Sequence, residues 1–206
     1  MKKEKIIQTG AEAILIRKGD LVLKRRVAKG YRLKELDEKL RKTRTKGEAK
    51  LLDKALKIGI AVPVVKKVNE TEKEIDMQFI EGEKLSENLD DLKNWKEICF
   101  EIGESIAKLH DADIIHGDLT TSNMIWSNKE KKVYFIDFGL GFHSSRVEDK
   151  AVDLHLIKQA LEAKHFENWE KFFEAIKEGY KISKNFATTM GRFEKVERRG
   201  RYKQNY

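Results

Sequence analysis

Apolar residues come in short runs over the first third of the chain and recur at three- and four-residue spacing from about residue 94 onward. The change of period predicts strands first and helices later. Ala13-Ile14-Leu15-Ile16 and Leu21-Val22-Leu23-Lys24 read as two strands of an antiparallel hairpin. They are joined by Arg17-Lys18-Gly19-Asp20, whose glycine supplies the permissive backbone of a tight reversal. A basic stretch from Arg25 to Lys46 follows and is expected to be mostly solvated loop. A helix is then predicted from about Gly47 to Ile58, with Leu51, Leu52, Ala55 and Leu56 on one face, Glu48 in its first turn, and Gly59 and Pro63 as its stop. Val62 to Val68 and Glu74 to Ile80 read as further strands, the second ending at Glu81-Gly82.

Trp95, Ile98, Cys99, Ile102, Ile106 and Leu109 form the clearest helical stripe, and Asn94 with Glu97 has the spacing of a capping box. Two short apolar segments, Ile114-Ile115 and Met124-Ile125-Trp126, precede a strand at Val133 to Ile136 and helices near 149 to 164 and 168 to 183. No internal repeat is visible. A β-rich first part with one helix, then a helix-rich remainder, predicts an α+β, two-lobed protein with its boundary near residues 81 to 92. The expected division is an N-lobe over 1–82, a C-lobe over 83–197 and a basic tail over 198–206, together one domain.

Composition narrows the partners. The 206 residues suit one generous domain or two small lobes sharing a cleft. Charged residues make up 38% of the chain, but the apolar ones fall in periodic blocks, as they do not in a disordered chain. Cys99 has no second cysteine to pair with, which excludes a disulfide framework or a cysteine zinc site and fits a reducing, cytoplasmic setting. No apolar run reaches the roughly 18 residues of a membrane span, and charges interrupt the N-terminus where a signal peptide would be apolar. The expectation is a protein neither secreted by that route nor membrane-spanning. A net charge of +8 favours an anionic partner: nucleotide, RNA or an acidic protein.

The chemistry is concentrated in Ile115-His116-Gly117-Asp118-Leu119-Thr120-Thr121-Ser122-Asn123, followed by Asp137-Phe138-Gly139 at the end of an apolar strand. Phosphoryl transfer needs a carboxylate to orient the attacking hydroxyl or water, and hard oxygen ligands to hold magnesium against the phosphates. Asp118 supplies the first; Asn123 and Asp137 supply the second. An aspartate with an asparagine five positions on, ahead of a strand ending in Asp-Phe-Gly, matches the pattern of protein kinases. Each part alone would read as an ordinary turn. Lys24 on a hairpin strand and Glu48 on the following helix stand where a kinase places the pair that holds the phosphates, though each alone reads as a solvated lysine or a helix-dipole glutamate. Gln8 to Ala13 stands in the place of the glycine-rich phosphate cover, yet Gly10 is its only glycine and Glu12 brings an acid near the phosphates. A three-glycine dinucleotide loop and a P-loop are both missing.

With these residues placed, the sequence resembles the small atypical kinase of the KEOPS complex, which supports threonylcarbamoylation of tRNA adenosine. The likeness rests on GAEA at 10 to 13, Arg44-Thr45-Lys46-Gly47-Glu48-Ala49, MQFIEG from Met77 to Gly82, HGDLTTSN, FIDFGLG and the terminal basic residues. It implies a truncated, bilobal protein-kinase-like fold using ATP and magnesium, with Asp118, Lys24 and Asn123 catalytic. ATP would be bound by Gly10, Ala11, Glu12, Lys24, Glu48, Met77, Gln78 and Ile80, through backbone groups at Gln78 and Ile80, and metal by Asn123 and Asp137. Asp153 would brace the catalytic loop. Arg198, Arg199, Arg201 and Lys203 would contact tRNA, although a solvated terminus is the plainer reading of such a tail. The implied partners are a threonylcarbamoyl-transferase subunit and other subunits of that complex. A non-catalytic nucleotide-binding scaffold and a small-molecule phosphotransferase are the alternatives. Gly117 in place of the usual arginine, and the short span from Gly141 to Asp153, make activation by loop phosphorylation an unsuitable mode here. The five histidines show no metal spacing, and His116 is expected to pack and hydrogen-bond the loop.

Overall fold

The computed structural model describes residues 4–203, with side chains through Arg199. Strands β1 (Glu4–Thr9), β2 (Ala13–Lys18) and β3 (Leu21–Arg26) run antiparallel, and β4 (Val65–Asn69) and β5 (Glu74–Gln78) complete a five-stranded sheet in the order β1-β2-β3-β5-β4. The predicted hairpin is present. Its reversal places Gly19 at φ 66°, a left-handed conformation that glycine adopts without a Cβ penalty. Lys24 pairs with Leu15 on one side and Ile75 on the other, deep in the sheet.

Helix α1 spans Lys34–Lys57 and packs on β4 and β5. It starts thirteen residues before the predicted Gly47, so most of the stretch expected as loop is helical and Glu48 lies well inside the helix, not in its first turn. The reason is physical: ahead of Ala49 the buried residues of the helix are Asp37, Thr45 and Glu48, so polar rather than apolar residues mark the period. Arg41 closes on Asp37 at 2.6 Å one turn away, and the Thr45 hydroxyl donates to the Arg41 carbonyl at 2.8 Å. Leu51, Leu52 and Ala55 are buried as expected, whereas Leu56 is exposed. Gly47 has open space where a Cβ would lie. Gly47→Ala is therefore expected to stabilise the protein by about 0.5–1 kcal/mol, measured as a raised midpoint in urea unfolding, with no change in slope.

A short strand β6 (Glu83–Lys84) and a one-turn helix α2 (Leu85–Asn88) lead into α3 (Trp95–Asp111). Asn94 is the residue before α3, but its side chain makes no capping hydrogen bond, so the capping box predicted from spacing is not formed. Ile98, Cys99, Ile102 and Ile106 are fully buried. Burial pushes the Cys99 thiol up to about 12, which makes it an inert part of the core. Short strands β7 (Ile114–Ile115), β8 (Met124–Ser127), β9 (Lys132–Phe135) and β10 (Phe142–His143) flank residues 116–123 and Asp137. Helices α4 (Val147–Lys164) and α5 (Trp169–Tyr180) lie close to prediction. Helix α6 (Phe186–Lys203) packs along α4 and was not expected; it carries the first part of the basic tail. No helix among the described residues is long and apolar enough to cross a membrane.

Candidate active site

Alternation along β3 turns Val22, Lys24 and Arg26 to one face, toward α1 and the cleft. Lys24 Nζ lies 2.7 Å from Glu48 Oε1 and 2.6 Å from Asp137 Oδ1, joining three elements far apart in sequence. Burial alone would lower the Lys24 pKa, but the two carboxylates outweigh it and hold the ammonium above its ordinary value. Asp137 is held below the usual carboxylate range: burial opposes this, and Lys24 wins. Arg26, also buried, binds the second oxygen of Glu48 at 2.5 Å. Glu48 is thereby fixed between two cations on one strand.

Asp137 follows β9 at φ 64°, a left-handed conformation that aspartate and asparagine tolerate better than most residues. Its Oδ1 also accepts from the Gly139 N–H at 3.1 Å. Across the cleft, Asn123 Nδ2 donates to the Asp118 carbonyl at 2.9 Å and to Asp118 Oδ2 at 2.8 Å. That commits the amide nitrogen to Asp118 and leaves Asn123 Oδ1 as an oxygen donor. With the second oxygen of Asp137, this is a hard-oxygen set suited to magnesium.

The loop that carries Asp118 is braced from below. Asp153 on α4 accepts from the backbone N–H of His116 at 2.8 Å and of Gly117 at 2.9 Å. Gly117 sits at φ 76°, and a Cβ there would meet the Leu140 carbonyl, so the loop conformation requires glycine. His116 lies under the loop against Phe138, with Nε2 donating to the Ile136 carbonyl at 3.2 Å and Nδ1 accepting from the Asp118 N–H at 3.3 Å. Burial holds its pKa below the ordinary 6.5, outweighing Asp153, Asp137 and Asp118. The unfolded chain takes up a proton near pH 6.5 that the folded protein refuses, so this contribution is full above that pH and is lost as pH falls through it. A lower Tm is expected at about pH 5.5 than at about pH 7.5, with a smaller difference in His116→Gln. An unchanged difference in the variant would assign it to other groups.

Most of the residues singled out in sequence line one cleft of about 490 Å³, whereas Glu48, buried against Lys24, and Asp153, beneath the loop, lie outside its lining. Gly10, Ala11 and Glu12 form its cover, Met77, Gln78 and Ile80 its inner end, and Lys24, Asp118, Asn123 and Asp137 the wall between the lobes. The Gln78 N–H is already donated to Val64 at 2.9 Å, so of its two backbone groups the carbonyl remains to meet a ligand. A more open hollow of about 640 Å³ between α4 and α6 contains none of these residues. Arg198 and Arg199 lie on α6, and Arg199 pairs with Glu148 at 2.8 Å; the side chains of Arg201 and Lys203 lie outside the described residues. Sequence reasoning did not single out Arg26 or the cleft-facing position of Arg44. The i+2 spacing of Arg26 from Lys24 on a strand was the available signal.

The RIO domain family matches residues 19–155. The KEOPS complex subunit Bud32 of Pyrococcus abyssi is 43% identical, with 89% of this chain and 85% of that protein covered. A probable bifunctional tRNA threonylcarbamoyladenosine biosynthesis protein of Methanobrevibacter smithii is also 43% identical, over 97% of this chain, and this chain spans 37% of its length. Among solved structures, the Rio2 kinase of Chaetomium thermophilum in an ADP/Mg2+-phosphoaspartate complex superposes with a TM-score of 0.65 at 14% identity, covering 95% of this chain and 70% of that one. At that identity the likeness is one of fold.

Proposed function

This chain belongs to the RIO domain family of atypical kinases and to its Bud32 group, and from that premise we propose that it transfers or hydrolyses the terminal phosphate of MgATP as the kinase-like subunit of the assembly that forms threonylcarbamoyladenosine in tRNA. The observation that carries the reading is the meeting of Lys24, Glu48 and Asp137 opposite the Asp118–Asn123 pair in one cleft. Adenine sits against Met77, with the Gln78 carbonyl and Ile80 backbone as its polar contacts. Lys24 turns from Asp137 to the phosphates while Glu48, held by Arg26, keeps it in place. Asp118 orients the attacking oxygen and takes its proton, and the Asn123 amide fixes that carboxylate. Magnesium, held by Asn123 and Asp137, would neutralise charge on the phosphate oxygens.

The acceptor is water, or a Ser/Thr presented by a partner. Phe142-His143 pairs directly with Ile114-Ile115, and α4 begins at Val147, which leaves little chain to build a peptide-docking platform. The threonylcarbamoyl-transferase subunit and tRNA are the proposed cytoplasmic partners. Arg198 and Arg199 reach tRNA phosphates, the latter by exchanging an exposed and therefore weak pair with Glu148.

Phosphate release from MgATP, measured alone and with the transferase subunit and tRNA, tests the reading. Release is expected to rise with both partners and to fall about 10²–10³-fold in Asp137→Asn. Nucleotide binding without release under any combination would replace catalysis by a scaffold role.

A further inference from the structure

The turn that covers the cleft holds an acid where phosphate oxygens are expected. Glu12 reaches across to Arg44 Nη1 at 2.9 Å and to Arg32 Nη2 at 3.4 Å. Arg44 stands one turn ahead of Glu48 on α1 and lines the cleft with Lys24, Asp118 and Asp137. Strand register fixes the direction of the cleft. Leu21, at one end of β3, pairs with Gln78 at the inner end of the cleft, while Arg26, at the other end, pairs with Ala13 beside the turn. Lys24 is level with Leu15, so Glu12 lies three residues beyond it, about 10 Å farther out along the strand. With adenine at Met77 to Ile80 and Lys24 on the inner phosphates, that distance brings the Glu12–Arg44 pair to the terminal phosphate.

A carboxylate and a phosphate present the same forked oxygens to a guanidinium. The side chains of Arg44 and Glu12 are 31% and 45% exposed, so their pair is weak and open to exchange for a more highly charged group. We propose that Arg44 contacts the terminal phosphate of the nucleotide, and that Glu12 occupies this guanidinium until ATP displaces it. The cover then opens as the nucleotide arrives, and Arg44 distinguishes ATP from ADP. This inference rests on the nucleotide reading above.

Calorimetric titration of the full chain with MgATP and with MgADP tests it, using wild type, Arg44→Gln, Glu12→Gln and the double variant. Arg44→Gln is expected to weaken ATP about tenfold and ADP by about twofold or less. Glu12→Gln, which removes the competitor, tightens ATP about threefold, and the double variant matches Arg44→Gln. Retained ADP binding in Arg44→Gln shows that the variant is folded. Equal loss of ATP and ADP in Arg44→Gln, or weaker ATP binding in Glu12→Gln, overturns the inference and leaves the nucleotide reading standing. Wild type that binds neither nucleotide overturns the nucleotide reading itself.

Discussion

Asp118→Asn is expected to lower turnover of MgATP by about 10²–10⁴-fold while leaving nucleotide affinity within about twofold. The two effects separate if, as proposed, Asp118 orients the attacking oxygen while the nucleotide is held by Lys24 and the residues at Met77 to Ile80. Its present contacts survive the substitution. Asn123 Nδ2 donates to the Asp118 carbonyl and to Oδ2, and an asparagine oxygen accepts the same bond. His116 and Gly117 stay anchored to Asp153 through backbone groups that the change does not touch. What is lost is the proton acceptor. Initial rates of phosphate release, set beside calorimetric ATP affinities, read both quantities. Unchanged turnover would remove Asp118 from the chemistry, and turnover lost in parallel with affinity would make it a binding residue.

Gly103→Ala is expected to destabilise the fold by about 3 kcal/mol or more, which for a chain of this size is roughly 6–12 °C in Tm. Helices α3 and α5 approach so closely that a Cβ on Gly103 lands on the Ile176 carbonyl oxygen and lies 2.8 Å from the Tyr180 nitrogen. Gly179 makes the reciprocal contact with the Phe100 carbonyl. The obstacles are backbone atoms of a packed helix, so no side chain can rotate away and the helices must separate. Separation opens the core around Ile102, Ile106, Phe172 and Tyr180, all fully buried. Gly179→Ala should cost a similar amount, and the double variant less than the sum, because the first methyl already forces the helices apart. Thermal unfolding of the three variants beside Gly47→Ala gives opposite signs for two helical glycines. A Gly103→Ala protein as stable as wild type would mean that the helices can slide past each other at little cost.

Where chemistry is encoded in short local strings, the sequence was legible. HGDLTTSN sets Asp118 and Asn123 five residues apart, and DFG marks Asp137 at the end of the next apolar strand; both strings can be read without knowing their surroundings. The Gly19 turn and the apolar stripe of α3 were readable for the same reason: backbone permissiveness and a 3.6-residue period are local properties. Lys24 and Glu48 were found by their order along the chain, and the fold joins them at 2.7 Å.

Other features depend on residues that meet from distant parts of the chain. The first half of α1 was missed because its buried residues, Asp37 and Thr45, are polar and satisfied by Arg41 within the helix, while Glu48 farther along becomes a reasonable interior residue only once Lys24 and Arg26 arrive to pair with it. Helix α6 was missed for a related reason. Its sequence is rich in charge, and what holds it is a face of α4, with Phe193 and Thr189 buried. Neither the closeness of Gly103 to α5 nor the grip of Arg44 on Glu12 leaves a local trace, since each is set by packing between segments that the sequence keeps far apart. Local strings and periodicity were enough to propose Asp118, Asn123 and Asp137 as the chemical groups and to order a sheet-rich part ahead of a helical one. The tertiary structure alone decided which charges neutralise one another in the cleft, because ion pairing and close packing are properties of distance in space and not of distance along the chain.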